Sequence, residues 1–490
     1  MAFLALGGSL TREAADGPPF AAVQRDLLTA PRSLSNAWGD YDNDGDLDLA
    51  VSLGTGEIRL YRNDAGVLAS VGAEVGMPQS DQEIRGLSWG DYDGDGSVDL
   101  LGGAYRTTDL SVVLRNDGGR FRDVAAEIGL TIPGRSARQT NFIDFDNDGD
   151  LDVYATDRAG DNRLFRNDGG RFTHVFVGVG PTDGRATVGA CWLDIDDDGD
   201  LDLFLANQAG GADAMWRNDG DRFVDVAAAF RMTGPTRTPA EGGVGCAVGD
   251  YDNDGDFDIF VPNYGRNQLY RRNVDGTFTD LAEEVGLGAE NHAVGADWGD
   301  IDNDGDLDLS VMSYEGPVGQ QTPANALFRN DGASGFVNIL GLNSPLNAGD
   351  HGVQLVDYDN DGGLDISLTD GYGPAGGHFV FRNTLPDEAK RRSLSVLVLD
   401  ARGHHTRFGA EVRIRDAAEL IVASRQVVTG SGYNTQRAAP VHVGLPTLSP
   451  VTVEVTFMTA GGRRTQIVTD VDPADYLGRS LVVREEPRAP

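Results

Sequence analysis

Seven times between Asp40 and Asp365 the chain repeats Asp-x-Asp-x-Asp-Gly-x-x-Asp, crowding four carboxylates into nine residues. Carboxylates this close repel one another unless a hard cation lies among them. Calcium suits the arrangement because it accepts about six to eight oxygens at flexible angles, whereas magnesium demands a tighter octahedron and keeps its waters. In the first copy Asp40, Asp42, Asp44 and Asp48 would supply side-chain oxygens, Gly45 would allow a sharp turn, and the carbonyl of Asp46 would point inward. The second copy offers Asp91, Asp93, Asp95 and Asp99 with Ser97 at the carbonyl position, the third Asp144, Asp146, Asp148 and Asp152 with Asp150, and the fourth Asp194, Asp196, Asp198 and Asp202 with Asp200. The fifth offers Asp250, Asp252, Asp254 and Asp258 with Asp256, the sixth Asp300, Asp302, Asp304 and Asp308 with Asp306, and the seventh Asp357, Asp359, Asp361 and Asp365 with Gly363. The expectation is seven structural calcium ions, with the second and seventh loops weakened at most by Ser97 and Gly363.

An EF-hand shares the first half of this pattern, but it needs a Glu at loop position twelve and flanking helices. Position twelve is Val51, Gly102, Ala155, Leu205, Val261, Val311 and Leu368 in the seven copies, and apolar runs such as Leu49-Ala50-Val51 follow the ninth position. Each loop therefore joins two strands. Acidic turns without metal remain the alternative, and seven copies in register weigh against it.

The elements that must position these loops repeat with them. Successive copies begin 51, 53, 50, 56, 50 and 57 residues apart. After each loop comes a strand ending in a tight turn, as in Leu164-Phe165-Arg166-Asn167-Asp168-Gly169, and then an aromatic-led strand such as Arg120-Phe121-Arg122-Asp123-Val124. Asn, Asp and Gly tolerate the positive φ that hairpin turns demand. About four short strands in roughly 50 residues is one propeller blade, and a blade buries its sheet faces only against its neighbours in a ring. The fold class that follows is all-β, a seven-bladed β-propeller over residues 1–390, with a small β-sandwich over 391–490 built from alternating runs such as Val451-Thr452-Val453-Glu454-Val455. The segment Pro19-Phe20-Ala21-Ala22-Val23 resembles the last strand of other blades and is expected to complete the seventh. Trp38, Trp89, Phe142, Trp192, Val248, Trp298 and Val356, just before the loops, are expected to fill the core between blades.

Asp and Glu number 77 against 40 Lys and Arg, for a net charge of −37. Seven calcium ions would bring this to about −23, which still repels nucleic acid and anionic membranes. No apolar run reaches the roughly 18 residues that span a bilayer. The start, Met1 to Gly8, lacks the basic residues of a signal peptide, while calcium loops of extracellular type favour millimolar calcium, so the compartment stays open. Cys191 and Cys246 stand three and four residues before their loops. That offset sends their side chains to opposite sheet faces, so two buried free thiols are expected.

The segment Trp38-Gly39-Asp40-Tyr41-Asp42-Asn43-Asp44-Gly45-Asp46-Leu47-Asp48-Leu49 resembles the FG-GAP or VCBS repeat, the blade unit of integrin-α-like propellers, and the likeness runs from about residue 20 to 390. The tail resembles the ASPIC/UnbV domain, named from cartilage acidic proteins and a bacterial natural-product gene cluster. It does so at Arg407-Phe408-Gly409-Ala410-Glu411-Val412, at Gly430-Ser431-Gly432-Tyr433-Asn434-Thr435-Gln436 and at Val441-His442-Val443-Gly444-Leu445. The resemblance implies calcium ligation by the loop aspartates. In the fifth unit Arg272-Asn273-Val274-Asp275-Gly276 replaces the usual Asn-Asp turn. A loop with Gly430, Gly432 and Tyr433 could meet a ligand, though ordinary turn formation accounts for it as well.

A propeller offers its rim and its central channel as binding surfaces, which favours a recognition protein whose partner is a protein, a glycan or a small molecule. The alternative is an enzyme of natural-product biosynthesis, a lyase or cyclase with its acid–base site at the channel mouth. Aligned on the loops, the segments leading into them offer Glu83, Arg85, Arg138, Asn141, Arg185, Glu241, Asn291, His292 and His351. A histidine base, Glu241 and an arginine clamp drawn from this set would be the catalytic group. Nothing in the sequence resembles a nucleotide loop, a Ser-His-Asp order or a zinc site.

Overall fold

The computed structural model describes residues 20–487 apart from 79–80, 107, 134–135, 177–179, 221, 291, 315–324, 342–343, 349–350, 372–376 and 434. The N-terminal stretch with Pro19, and the positions Asn291 and Asn434, therefore lie outside the described residues. Seven four-stranded antiparallel sheets follow one another along the chain. The first joins Ser33–Gly39, Asp48–Leu53, Ile58–Asp64 and Val67–Ser70. In every sheet one strand runs into an acidic loop and the next begins at the ninth loop position, as Gly39 pairs with Asp48 and Gly299 with Asp308. Tight turns close the second hairpins, and in the first blade Ala65 and Gly66 both take positive φ, 52° and 83°. Two successive positive values make a turn whose twist matches that of the strands it joins.

The innermost strands stand side by side in a closed circle. Ser33–Gly39 touches Ile84–Gly90, and contact passes through Ala137–Ile143, Thr187–Leu193, Ala247–Gly249, Ala293–Gly299 and Val353–Val356 back to Ser33–Gly39. This is a seven-bladed β-propeller. The seventh sheet takes its outermost strand from the start of the described chain, where Phe20–Ala22 pairs with Val380–Asn383, Phe20 lying opposite Asn383. A ring fastened by strands from both ends of the propeller segment cannot open at its seam without breaking a sheet.

The bulky residues before the loops are the mortar between blades. Trp38, Trp89 and Trp192 are wholly buried. The indole of Trp89 donates to the carbonyl of Ala37 at 3.0 Å and that of Trp298 to Ala247 at 3.1 Å, each reaching back to the preceding blade. Burying one such ring removes about 150–250 Å² from water, on the order of 4–6 kcal/mol of transfer free energy. Asparagines at the end of the third strand add polar links. Asn63 donates to the carbonyls of Leu47 and of Tyr358, the latter in the previous blade, and Asn116 reaches Tyr41 in the same way. Blade five has Arg272 at this position, and its guanidinium instead meets Asp197 in the preceding loop at 3.0 Å.

The two cysteines are joined, Cys191 to Cys246, which corrects the expectation of free thiols. Alternation does part the two side chains, but the faces that matter belong to two sheets and not one. In a propeller, neighbouring sheets meet face to face, so a side chain on the forward face of one blade meets a side chain on the rear face of the next. Opposite faces are what a bridge between blades four and five requires.

The tail begins after a single helical turn, Asp387–Lys390, and forms a small β-sandwich. Ser393–Leu399 lies between Val441–Gly444 and Leu481–Arg484, and it faces a sheet ordered Ile421–Gln426, Glu411–Arg415, Val451–Phe457 and Arg464–Val471. Val396, Val412, Ile414, Val443, Val453 and Val455, all buried, fill the space between the two sheets.

Candidate metal loops and channel mouth

Each acidic loop is held open by its own backbone. In the first, the two Asp40 carboxylate oxygens accept the amides of Asp44 and Gly45 at 3.1 and 2.9 Å, and Asp44 accepts that of Asp46 at 2.9 Å. Asp48, at the start of the next strand, accepts the amides of Tyr41 and Asn63 at 3.0 and 2.8 Å. Gly45 has φ +96°, a conformation that a side chain strongly disfavours. Carboxylate oxygens of Asp40, Asp42 and Asp48 lie within 4.8 Å of one another, and equivalent groups form at Asp91, Asp93 and Asp99 and at Asp144, Asp146 and Asp152.

These oxygens have no intrinsic reason to be ionised together. Burial, with repulsion from neighbouring aspartates, pushes Asp48 up to about 8 and Asp357 up to about 7. One oxygen each of Asp93, Asp146, Asp302 and Asp359, all at the third loop position, is buried without a hydrogen bond. An all-oxygen donor set with orphaned carboxylate oxygens fits a hard divalent cation, and the first, third, fifth and ninth loop positions would hold it.

Protein cations share some loops. Arg271 bonds Asp252 and Asp254 at 2.6 and 2.7 Å in the fifth. In the seventh, Arg382 bonds Asp359 and Asp361 at 2.7 Å each, and Lys390 also bonds Asp361. Although burial pushes the Asp361 carboxyl up, hydrogen bonds from Lys390 and Arg382 bring it below the ordinary carboxylate value.

The tail sandwich sits on the loop face of the propeller. Arg407 bonds Asp144 at 3.2 Å, Arg463 bonds Asp194 at 2.8 Å, and His404 lies 3.4 Å from Asp91, so three loops have their first aspartate touched by the tail. Arg413 donates to the carbonyl of Gly255 in the fifth loop at 2.9 Å. Between the two domains lies a cavity of about 500 Å³ bordered by Trp298, Leu355, Arg425, Pro440 and Val482.

From this face residues 429–433 and 435–438 run down the propeller axis. The amide of Gln436 donates to Leu87 and that of Ala438 to Trp38, while Trp89 donates back to Gln436. The Gln436 side chain accepts the Phe142 amide and donates to its carbonyl, both at 2.8 Å, and Thr429 does the same for Trp192 at 3.0 Å. Gly432 exchanges amide bonds with Ala296. The channel named above as a binding surface is thus filled by the chain itself, and the glycine loop of the tail is its filling. Glycine is required there. A Cβ on Gly432, at φ +61°, would lie 2.3 Å from the Val353 carbonyl oxygen, and one on Gly430 would lie 2.8 Å from that of Ala190.

Tyr433 stands at the tip of this plug, 6% exposed, under the opposite mouth of the channel. Its ring meets that of His351 with centroids 5.0 Å apart. His351 meets Tyr314 at 5.3 Å, Tyr314 meets Tyr264 at 6.4 Å, and Tyr264 meets His292 at 5.4 Å. Across the mouth, the guanidiniums of Arg85 and Arg138 lie 4.0 and 4.7 Å from the ring of Tyr105. Burial pushes the Tyr264 phenol above its ordinary value and the Arg138 guanidinium below its own.

The structure gathers His292, His351, Arg85 and Arg138 at the mouth. Glu83 is buried against Arg85, its Oε1 accepting Nε at 2.9 Å. Glu241 is half-buried just before the Gly242–Gly243 strand, which pairs with Asn263–Tyr264, and its carboxylate accepts the Thr238 amide at 2.6 Å. Arg185 is spent on Asp183 and Asp225, and Asn141 donates to the carbonyl of Thr429 in the plug. Tyr105, Tyr264 and Tyr314 lie outside the seven segments that lead into the loops, and no sequence motif marks them. Tyr433, by contrast, is marked in the sequence by the Gly430-Ser431-Gly432 run that precedes it.

Four stretches, residues 40–102, 144–205, 194–261 and 250–311, match the FG-GAP-like repeat. The chain carries FG-GAP-like repeats. Each matched stretch starts at the first aspartate of one loop and ends in the strand that directly follows the next loop, so the FG-GAP-like unit is read from loop to loop around the ring. No curated protein matches the chain significantly. Among solved structures, an Agrocybe aegerita lectin recognising non-reducing terminal N-acetylglucosamine is similar with 17% identity and a TM-score of 0.40, over 71% of this chain and 88% of its own. BBS1N, solved in complex with ARL6DN, is similar with 9% identity and a TM-score of 0.46, over 75% and 98%. A Lactobacillus plantarum protein is similar with 15% identity and a TM-score of 0.42, over 64% and 86%. No helix among the described residues is long and apolar enough to cross a membrane.

Proposed function

We propose that this protein is a calcium-stabilised recognition module that takes its ligand at the channel mouth facing away from the tail. The observation that carries this reading is the convergence of His292, His351, Tyr264, Tyr314 and Arg138 from four blades around Tyr433, supplied by the other domain. A concave floor of rings with a few directed polar groups is how proteins orient small ligands or the end of a glycan or peptide. Calcium acts at a distance from this mouth, pinning the loops on the opposite face. The tail covers that face as an ASPIC/UnbV-like domain and closes the channel behind the ligand. A disulfide between blades, together with loops of extracellular type, favours an oxidising, calcium-rich compartment. Nucleic acid is not the partner of a chain with a net charge of −37.

A lyase or cyclase is the second reading, favoured by the ring contact between His351 and Tyr433, which sets an imidazole beside a phenol at a sheltered floor. Its acid–base set would be His292, His351 and Tyr433, with Glu241 half-buried beside the strand that carries Tyr264. His292→Ala and His351→Ala decide between the two. If both variants keep the parental melting temperature and still bind ligand but lose a chemical conversion, the enzyme reading stands. If they weaken binding and no conversion is found in the parent, recognition stands. Full binding and unchanged chemistry in both would refute the mouth as the site.

A further inference from the structure

Resting on the reading of the mouth as a ligand site, we infer that it binds an acidic group, a carboxylate or a phosphate, against Arg138, with the body of the same ligand lying on the Tyr264–Tyr314 side. The inference comes from the pairing of charges around the opening. Arg85 is neutralised by Glu83. Arg106 lies 4.0 Å from both Glu83 and Asp109. Arg163 takes Asp157 at 3.7 Å. Arg138 has no carboxylate partner among the described residues. Among the described residues its guanidinium donates hydrogen bonds only to the carbonyls of Ala137 and Ser136, at 3.3 and 3.5 Å, both in the chain just before it. Arg158, exposed at the same opening, has no acid partner among the described residues either.

Arg138 is only 5% exposed, and an arginine cannot escape the cost of burial by losing its proton. The Tyr105 face offsets part of that cost as a cation–π contact, but it shares itself with Arg85. In so acidic a chain other arginines found acids with ease, as Arg62 did Asp64 and Arg329 did Asp331. One left buried with carbonyls alone is a guanidinium whose counter-ion arrives with the ligand. Tyr433, Arg85 and Arg158 lie near enough to act electrostatically on Arg138, and Tyr264 is near enough to feel both Arg138 and Arg158. The acidic group and the aromatic wall are therefore within reach of one small molecule. Guanidinium pairs with carboxylate and phosphate through two parallel hydrogen bonds, so charge and shape are both read.

The test uses the full calcium-loaded chain and three probes with a common ring: phenylacetate, phenyl phosphate and neutral 2-phenylethanol, followed by titration calorimetry and ligand-observed NMR. The inference expects saturable binding of at least one acidic probe, and the preferred one identifies the acidic group. It expects the neutral probe to bind at least about tenfold more weakly, and Arg138→Gln to cost the acidic probe about thirtyfold or more. Should Arg138→Gln fail to fold, the exposed Arg158→Gln takes its place, with a loss of several-fold expected. Failure of both acidic probes to bind overturns the inference. A neutral probe that binds as tightly as the acidic ones and is lost in Tyr264→Ala also overturns it, yet keeps the mouth as the site. Acidic probes indifferent to both Arg138→Gln and Tyr264→Ala bind elsewhere, which overturns the inference and the reading beneath it.

Discussion

Gly432→Ala asks whether the tail is locked into the propeller axis. Gly432 has φ +61°, and an alanine there costs about 1–2 kcal/mol in backbone strain alone. Its Cβ would lie 2.3 Å from the Val353 carbonyl oxygen, a backbone atom inside an innermost strand that cannot swing aside as a side-chain tip could. Relieving that overlap adds about 1–3 kcal/mol. A total near 3 kcal/mol makes local opening of the plug about a hundredfold easier, since each 1.4 kcal/mol is tenfold. Hydrogen exchange followed by mass spectrometry reads this directly on the amides of Gly432, Gln436 and Ala438, which donate to Ala296, Leu87 and Trp38. Gly118→Ala is the control, because Gly118 has φ +64° but nothing within 4 Å of its added Cβ. It should leave the plug amides alone. Exchange at those amides that stays within about threefold of the parent in Gly432→Ala would show that the segment is not confined by the channel wall, and the account of the mouth's floor would fall with it.

Two further outcomes follow from buried charge and the cross-link. In the calcium-free chain Asp48, Asp144, Asp300 and Asp357 are pushed by burial from 3.8 to about 8, 7, 7 and 7, so the folded state binds more protons than the unfolded one in that range. Its stability is then fullest below about pH 4 and is lost as pH rises toward 8, whereas calcium replaces those protons and stabilises most at the alkaline end. His405 and His442, lowered by burial to about 4 and 3, act oppositely below pH 6.5, but the loop carboxylates outnumber them. Melting curves with calcium and with chelator should diverge steadily from pH 5 to pH 8, and parallel curves would refute metal in the loops. For the cross-link, a separation of 55 residues gives about 4 kcal/mol of chain-entropy stabilisation. Reductant should lower the denaturation midpoint of the parent and not of Cys191→Ser, and two alkylatable thiols in unreduced, unfolded protein would refute the bridge.

The sequence by itself determined what lies within one blade. An Asp-rich turn, a period-two apolar run and an Asn-Asp-Gly hairpin are local signals, and local sterics translate each into structure with little reference to the rest of the chain. Hence the loops, the strand order and the blade count could be read from spacing alone. What only the tertiary structure decided is how blades and domains face one another. The same alternation that parts Cys191 from Cys246 within one sheet brings them together across two. Arg185 and His351 occupy comparable places in the repeat, yet one is spent on Asp183 and Asp225 and the other lies under Tyr433. Closing the ring fixes which faces meet, and closure is a property of seven sheets at once. Tyr433 shows this most plainly, since its position under the mouth depends on a glycine loop from a separate domain finding a channel that no single repeat contains.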